Sequence, residues 1–456
     1  MTHPASFRDP DGFVFLHNGE PFRQVNPSYL PDYDFLMSSG LYSQLTEKRR
    51  LIAHEEVQDP RSSPDPVAAR ILKPSVIPVI TYPASWSFRM LQAAAVLTLD
   101  IQLKAIEKGM VLKDASAYNI QFAGPNPIFI DTLSFEQWSE GNPWFAYGQF
   151  CRHFLAPLAL MSYGDVSLHT LWSAYPDGIP LPVATQLLPL KARFSMGLYL
   201  HLFLHASQLN ATPRGGAKTA KKFSKQELTN LANHLKAIVK KLKPAATPSN
   251  WIEYYENDVE QAYQVKKREV ISGWLKEQQP GKVLDVGANR GQYSYMAAET
   301  AACVIAAEAD PTCVDAMWLD MREKKVDRIL PICFNAANPE PGIGWMNEER
   351  SSVLERIGAD SVLALAVTHH LAITYAIPFH RQAEFFFRLG KEAFVEFIPK
   401  PDPKVQLLLK THRNPFDSYS RETFVAAFEK LFDVRRSAVL SDSGRELFWL
   451  VRKPGV

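Results

Sequence analysis

Cysteine is scarce in this chain of 456 residues, with only Cys151, Cys303, Cys313 and Cys333. No two of them form a Cys-x-x-Cys pair, so neither a zinc ribbon nor a disulfide framework is indicated. Reduced thiols in a cytoplasmic protein are the expectation. The N-terminal residues MTHPASFRDPDGF lack a basic start followed by an apolar core, so no secretory signal is expected there. Long apolar runs are missing too. The longest, residues 361–379, carries His369 and His370 in its middle, and no membrane span is expected. An excess of one charge is also absent: 50 Lys and Arg against 48 Asp and Glu give a net charge of +2. Nucleic-acid binding, which calls for a larger and clustered basic footprint, is not expected.

What is present describes a folded globular protein, 46% hydrophobic and 21% charged. Its length exceeds one ordinary core, so two domains are expected. Proline totals 33, with many in the first 80 residues, where short strands such as Phe13–Leu16 alternate with irregular chain. Between Trp86 and Lys108 apolar residues recur at helical spacing without internal Gly or Pro, and Gly109 is a natural stop. Two short apolar runs, at 111–112 and 128–130, flank a Gly-Pro-Asn-Pro turn. Helices are expected over 143–161 and 182–206. Residues 207–225 carry five basic residues and no acid and read as a linker. The lysines of the helix expected at 225–243 read as a solvated face.

From about Trp251 strands and helices alternate, with strands expected at 282–286, 303–308, 328–334, 361–367, 393–398, 434–440 and 446–451. That alternation predicts a doubly wound α/β sheet. The first strand runs into Asp285-Val-Gly-Ala-Asn-Arg-Gly291. Glycine there permits positive φ and close approach of a ligand, and the strand end is where open α/β sheets bind ligands. The spacing Gly287-x-x-x-Gly291 differs from the G-x-G-x-x-G of dinucleotide sites. The second strand ends in Glu308-Ala-Asp310, about twenty residues on, where a carboxylate accepts ribose hydroxyls; Glu308 is the first choice and Asp310 the second.

This turn resembles motif I of the class I, Rossmann-like methyltransferases, and the fourth strand with Thr368-His-His-Leu371 resembles their motif IV. The resemblance spans about 200 residues. It implies that S-adenosylmethionine is held by Asp285, Gly287, Asn289, Gly291 and Glu308 or Asp310. Asn335 stands where the family often carries an adenine-reading acid, and its amide oxygen can accept the same bond. His369 or His370 is the candidate general base, near an ordinary pKa of about 6.5. Glu396, Trp345, Glu349 and Arg350 read as structural residues on a cleft rim.

A second resemblance lies upstream. In Lys113-Asp114-Ala-Ser-Ala-Tyr-Asn119, four residues separate Asp114 from Asn119, and Asp131 follows a short strand. The set resembles the catalytic loop and metal-binding turn of protein-kinase-like phosphotransferases. It implies ATP and magnesium at Asp114, Asn119 and Asp131, with the helix over 86–108 before the loop and Val76–Pro83 as strand and hinge. The sequence departs from the family: Lys113 replaces an arginine, Thr132-Leu133 replaces Phe-Gly, and only Lys48 and Lys73 offer a nucleotide-binding lysine. The bland reading makes the three residues turn caps.

The whole chain also resembles a bacterial family of methyltransferases connected with nodulation, through the block 113–122 and the Thr-His-His-Leu block. That likeness suggests a saccharide or small-molecule acceptor. The expected architecture is therefore an α+β kinase-like domain at 1–206 (small lobe to about 83, helical lobe 84–206). A basic linker and helix at 207–250 follow, then a Rossmann-like methyltransferase domain at 251–456. Three functions compete: a methyltransferase whose first domain binds substrate or partner, a bifunctional kinase-methyltransferase, and a non-catalytic binding protein.

Overall fold

The computed structural model describes residues 2–57, 67–209, 222–246, 262–411 and 419–455. The body of the expected linker and the expected start of the α/β pattern at Trp251 lie outside the described residues. The chain divides into two compact units. One is Met1–Thr247 with Gly342–Ser351; the other is Pro248–Pro341 with Ser352–Val456.

The first unit begins with a four-stranded antiparallel sheet of β1 (Gly12–His17), β2 (Glu20–Val25), β3 (His54–Val57) and β4 (Arg70–Pro74), in the order β1-β2-β4-β3. Asn18 and Gly19 close the β1–β2 hairpin at φ 51° and 81°, the left-handed pair that a two-residue turn requires. One face of the sheet packs Val25 and Leu72 against Tyr29, Tyr33 and Leu133. The Tyr29 hydroxyl donates to the carbonyls of Thr132 (3.2 Å) and Phe135 (2.7 Å), fixing the turn that follows Asp131.

Helix Phe88–Glu107 is the spine of this unit, and two antiparallel pairs follow it. Strand β5 (Met110–Leu112) pairs with β8 (Phe135–Gln137), and β6 (Ile120–Ala123) pairs with β7 (Asn126–Phe129). Helix Lys225–Lys241, expected as a basic helix after the linker, packs on helix Phe88–Glu107. It buries Leu228, Ala232, Leu235 and Val239. Gln92 Nε2 caps its C-terminal end by donating to the carbonyls of Val239 and Leu242. Lys240 and Lys241 are exposed, whereas Lys236 is half-buried and paired with Asp100 of helix Phe88–Glu107.

Several expectations need correction. Val76–Pro83 forms no strand; Pro78 and Pro83 remove ladder donors, and the Thr81 backbone N–H and carbonyl instead bond the Gln121 side chain. The helix expected over 143–161 is a continuous run over 147–163 that starts four residues later and widens into a π-helical turn at Cys151–Leu155. Pro157 has no N–H for the widened turn to receive. The helix expected over 182–206 is broken, with Pro189 between Leu181–Leu187 and a 3-10 turn Leu190–Phe194. The residues expected on a cleft rim after the third parallel strand belong to the first unit. Arg8 donates two bonds to the Glu349 carboxylate, 3.1 and 2.8 Å, and the Arg350 guanidinium lies 3.6 Å from the Tyr118 ring centroid. Trp345 is exposed.

The second unit is a seven-stranded sheet: β9 (Lys282–Val286), β10 (Cys303–Glu308), β11 (Ile329–Cys333), β12 (Ala359–Ala364), β13 (Gly390–Phe397), β14 (Phe432–Val439) and β15 (Glu446–Arg452). The order is β11-β10-β9-β12-β13-β15-β14, parallel from β11 to β13 and antiparallel beyond. This is the doubly wound α/β architecture. Strand β9 lies between β10 and β12, so the chain winds away from it in both directions and opens a crevice at its carboxyl end. Helix Ala262–Gln278 is pinned by Trp274, which packs edge-on to Phe394 (5.4 Å) and beside Trp449 (5.7 Å).

The packing of helix Lys225–Lys241 predicts that Leu235→Ala, at a fully buried site, costs about 2–5 kcal/mol. Chemical denaturation of the full chain should show it, and a loss within 0.5 kcal/mol, roughly the surface range, would contradict the packing.

Candidate functional site

Strand β9 delivers Asp285 to the sheet's centre and then turns. Gly287 (φ 73°), Asn289 (φ 50°) and Gly291 (φ 83°) all take left-handed backbone. At Gly287 the requirement is double, because a Cβ would stand 2.9 Å from Val367 Cγ2, beyond the end of β12. The N–H groups of Gly287 and Ala288 both donate to the Ala307 carbonyl on β10 (2.8 and 3.1 Å), drawing the turn across the neighbouring strand.

Two buried carboxylates organise this turn. Glu308 accepts from the Asn289 N–H (2.8 Å) through one oxygen and from the Asp310 N–H (2.9 Å) through the other. Burial raises its pKa, and the backbone bonds work against that rise. Asp285 accepts from Ser294 Oγ (2.6 Å). Burial pushes its carboxyl up to about 7; the Ser294 bond and the Lys267 charge oppose the rise, and the charge of Glu308 adds to it. Asp310 is spent as a helix cap, its Oδ1 accepting from the Thr312 N–H. Asn335 is exposed at the end of β11, where its Oδ1 accepts from the Ala337 N–H in a local turn.

His369 and His370 sit on the short helix Thr368–Ile373 after β12, with ring centroids 4.2 Å apart. His369 is buried and its Nδ1 has no hydrogen-bond partner, while His370 is half-buried. Burial, then the charges of His370, Arg445 and Lys267, hold the His369 pKa well below the usual 6.5. The ring is therefore neutral at pH 7, with one acceptor nitrogen. A strong general base is a poor description of it; a hydrogen-bond acceptor is a better one.

Around His369 lies a chain of buried charges of alternating sign. Lys267 on helix Ala262–Gln278 meets Glu396 at the end of β13 (2.6 Å). Arg445, just before β15, lies 3.7 Å from the other Glu396 oxygen and grips Asp402 with two bonds of 2.7 and 2.9 Å. Thr368 Oγ1 donates to the Glu396 carbonyl (2.8 Å), tying the histidine helix to the same strand end. Glu396 Oε1 has no hydrogen-bond partner, the approach of Arg445 being too long for one. The unit thus holds two buried polar atoms without a hydrogen-bond partner, His369 Nδ1 and Glu396 Oε1, beside two fixed cations.

The upstream set also converges. Ser134 Oγ donates to Asp131 (2.6 Å) and accepts from Asn119 (3.1 Å). Asp114 accepts from the Ser116 N–H; burial and the nearby Asp131 charge raise its pKa against bonds from Gln149 and Asn119. The donor set does not fit magnesium. Asp131 is ion-paired with Arg23 of β2 and accepts from the Leu133 N–H, and Lys113 is paired with Asp11. Among the described residues no group of three or more His, Cys, Asp or Glu is arranged to hold a metal. Lys73 is turned to Glu20 at the edge, so the cation beside Asp131 is an arginine from another strand.

Lys267 is buried against a fully buried carboxylate, so Lys267→Met should cost about 3–5 kcal/mol by stranding the charge of Glu396. The double variant Lys267→Met with Glu396→Gln should recover most of it; equal losses in the two would rule out the pair as the cause. Asp285 gives a pH test. Its folded pKa of about 7 exceeds the unfolded value of about 3.9, so the folded chain holds the extra proton between them. Its contribution is most favourable below about pH 4 and is lost as pH rises to 7. Asp285→Asn should flatten the fall of thermal midpoint with pH across that window.

No family model matches the chain. Among solved structures, the N-methyltransferase NodS from Bradyrhizobium japonicum WM9 aligns with 9% identity over 43% of this chain and 98% of that one, at a TM-score of 0.32. Magnesium protoporphyrin IX methyltransferase (ChlM) from Synechocystis PCC 6803 aligns with 16% identity over 42% of this chain and 84% of that one, at 0.30. The curated nodulation protein NoeA of Rhizobium meliloti (strain 1021) is 31% identical over 457 residues, covering 98% of this chain and 95% of that protein. The likeness runs through both units, and the chain belongs to the family of this nodulation protein NoeA.

Proposed function

We propose that the second unit is an S-adenosylmethionine-dependent methyltransferase acting on a hydroxyl or amine of a small-molecule or saccharide acceptor. One observation carries the reading: the glycine turn at the carboxyl end of β9, with Asp285 beneath it and Glu308 bonded to its Asn289 N–H. The residues suit that donor. Gly287 and Gly291 leave room for a ligand against backbone, and the two carboxylates suit a cationic, ribose-bearing molecule. When bound, the donor supplies an electrophilic methyl group on a sulfonium. The protein then has to align an acceptor and exclude water. His369 Nδ1 and Glu396 Oε1 accept the acceptor's hydrogen and orient its lone pair, while Lys267 and Arg445 hold the Glu396 carboxylate in place. Glu308 carries the ribose contact in this reading, with Asp310 and Asn335 engaged in local turns.

The first unit, in this proposal, is a kinase-like fold that binds substrate or partner. The order of Asp114, Asn119 and Asp131 and the antiparallel pairs around them support the likeness. The Arg23–Asp131 ion pair argues against phosphoryl transfer.

Calorimetry tests the reading. S-adenosylmethionine should bind, and Asp285→Ala should weaken it about tenfold or more, the loss of one charge-assisted contact. Undiminished binding would refute the assignment. A cation beside Asp285 favours its ionised form, so affinity should rise with pH until about pH 7, by up to about tenfold per unit. Asp285→Asn should remove most of that slope.

A further inference from the structure

One face of the first unit is apolar where a soluble surface is ordinarily polar. Between Leu187 and Leu200 the outward side chains are Leu187, Leu190 (73% exposed), Phe194 (90%), Met196 (70%), Tyr199 and Leu200. The segment is folded, since Leu188, Ala192 and Leu198 point inward and are buried. Its short helices and turns pack on one another. An exposed cluster of this kind on ordered backbone marks a surface that meets something else.

The charge around it says what. Residues 187–200 contain no Asp or Glu and two cations. Lys191 and Arg193 stand among the exposed apolar side chains themselves. A second copy of this face would bring like charges together with no acid in the stretch to meet them. Apolar side chains rimmed by cations match the headgroup region of an anionic bilayer. Among the described residues no helix is long and apolar enough to cross a membrane, so the face offers insertion to headgroup depth. We propose that residues 187–200 form a peripheral docking surface for an anionic lipid bilayer, with Phe194 and Leu190 inserting and Lys191 and Arg193 pairing with lipid phosphate.

Co-sedimentation of the full chain with vesicles decides it. The protein should pellet with equimolar phosphatidylglycerol and phosphatidylcholine and stay in solution with phosphatidylcholine alone. The variant Leu190→Ser, Phe194→Ser, Met196→Ser should bind anionic vesicles about tenfold or more weakly. Its thermal midpoint should be unchanged because these side chains are exposed. Lys191→Glu with Arg193→Glu should weaken binding independently. Failure of the wild type to pellet, or equal binding by both variants, would overturn the proposal. So would a wild-type dimer in light scattering that the serine variant converts to monomer.

Discussion

A buried carboxylate is costly unless its charge is compensated, and Glu308 shows how far that constraint reaches. Its two oxygens are held by backbone N–H groups on two different loops, one from the glycine turn after β9 and one from the cap of the next helix. The turn cannot shift without stripping a partner from a buried charge. The left-handed residues around it then become necessary, because only Gly287 and Gly291 let the chain follow the path that Glu308 demands. A loop fixed in this way has little ordering entropy left to lose when a ligand arrives.

The same constraint governs the other side of the crevice. Lys267, Glu396, Arg445 and Asp402 alternate in sign, so each buried charge has an opposite neighbour. The Trp274–Trp449–Phe394 packing holds the helix that carries Lys267. In the first unit ion pairing has the opposite chemical effect. The Arg23–Asp131 pair satisfies the oxygen that a metal would need. One carboxylate is neutralised and another is left with an open acceptor, and this separates the two sites more sharply than residue type does.

The second unit was legible because buried parallel strands write themselves as apolar runs punctuated by glycine, and Asp285, Gly287, Gly291 and Glu308 stand at punctuation marks. The charge chain was harder to see. Lys267 lies at helical spacing from Ile271, Trp274 and Leu275, which marks it as facing the core, but it sits between Lys266 and Arg268 and reads as one of three surface cations. Arg445 and Asp402 are 43 residues apart, and no spacing rule connects them. The first unit was less legible. Its helices are interrupted at Pro189 and widened into π-helical turns at Cys151–Leu155 and Tyr199–Leu204, so regular helical periodicity survives only over short stretches. The lysines of helix Lys225–Lys241 are conspicuous in the sequence, whereas its four buried apolar residues decide where it packs.

The ten residues Gly342–Ser351 have a consequence for how the chain can be divided. They lie between β11 and β12 in sequence, yet Glu349 and Arg350 supply partners to Arg8 and Tyr118 of the first unit. The polypeptide therefore leaves the first unit, returns to it, and leaves again. No single cleavage yields two complete halves: a fragment starting at Pro248 takes part of its neighbour's packing away with it, and a fragment ending at Thr247 lacks that part.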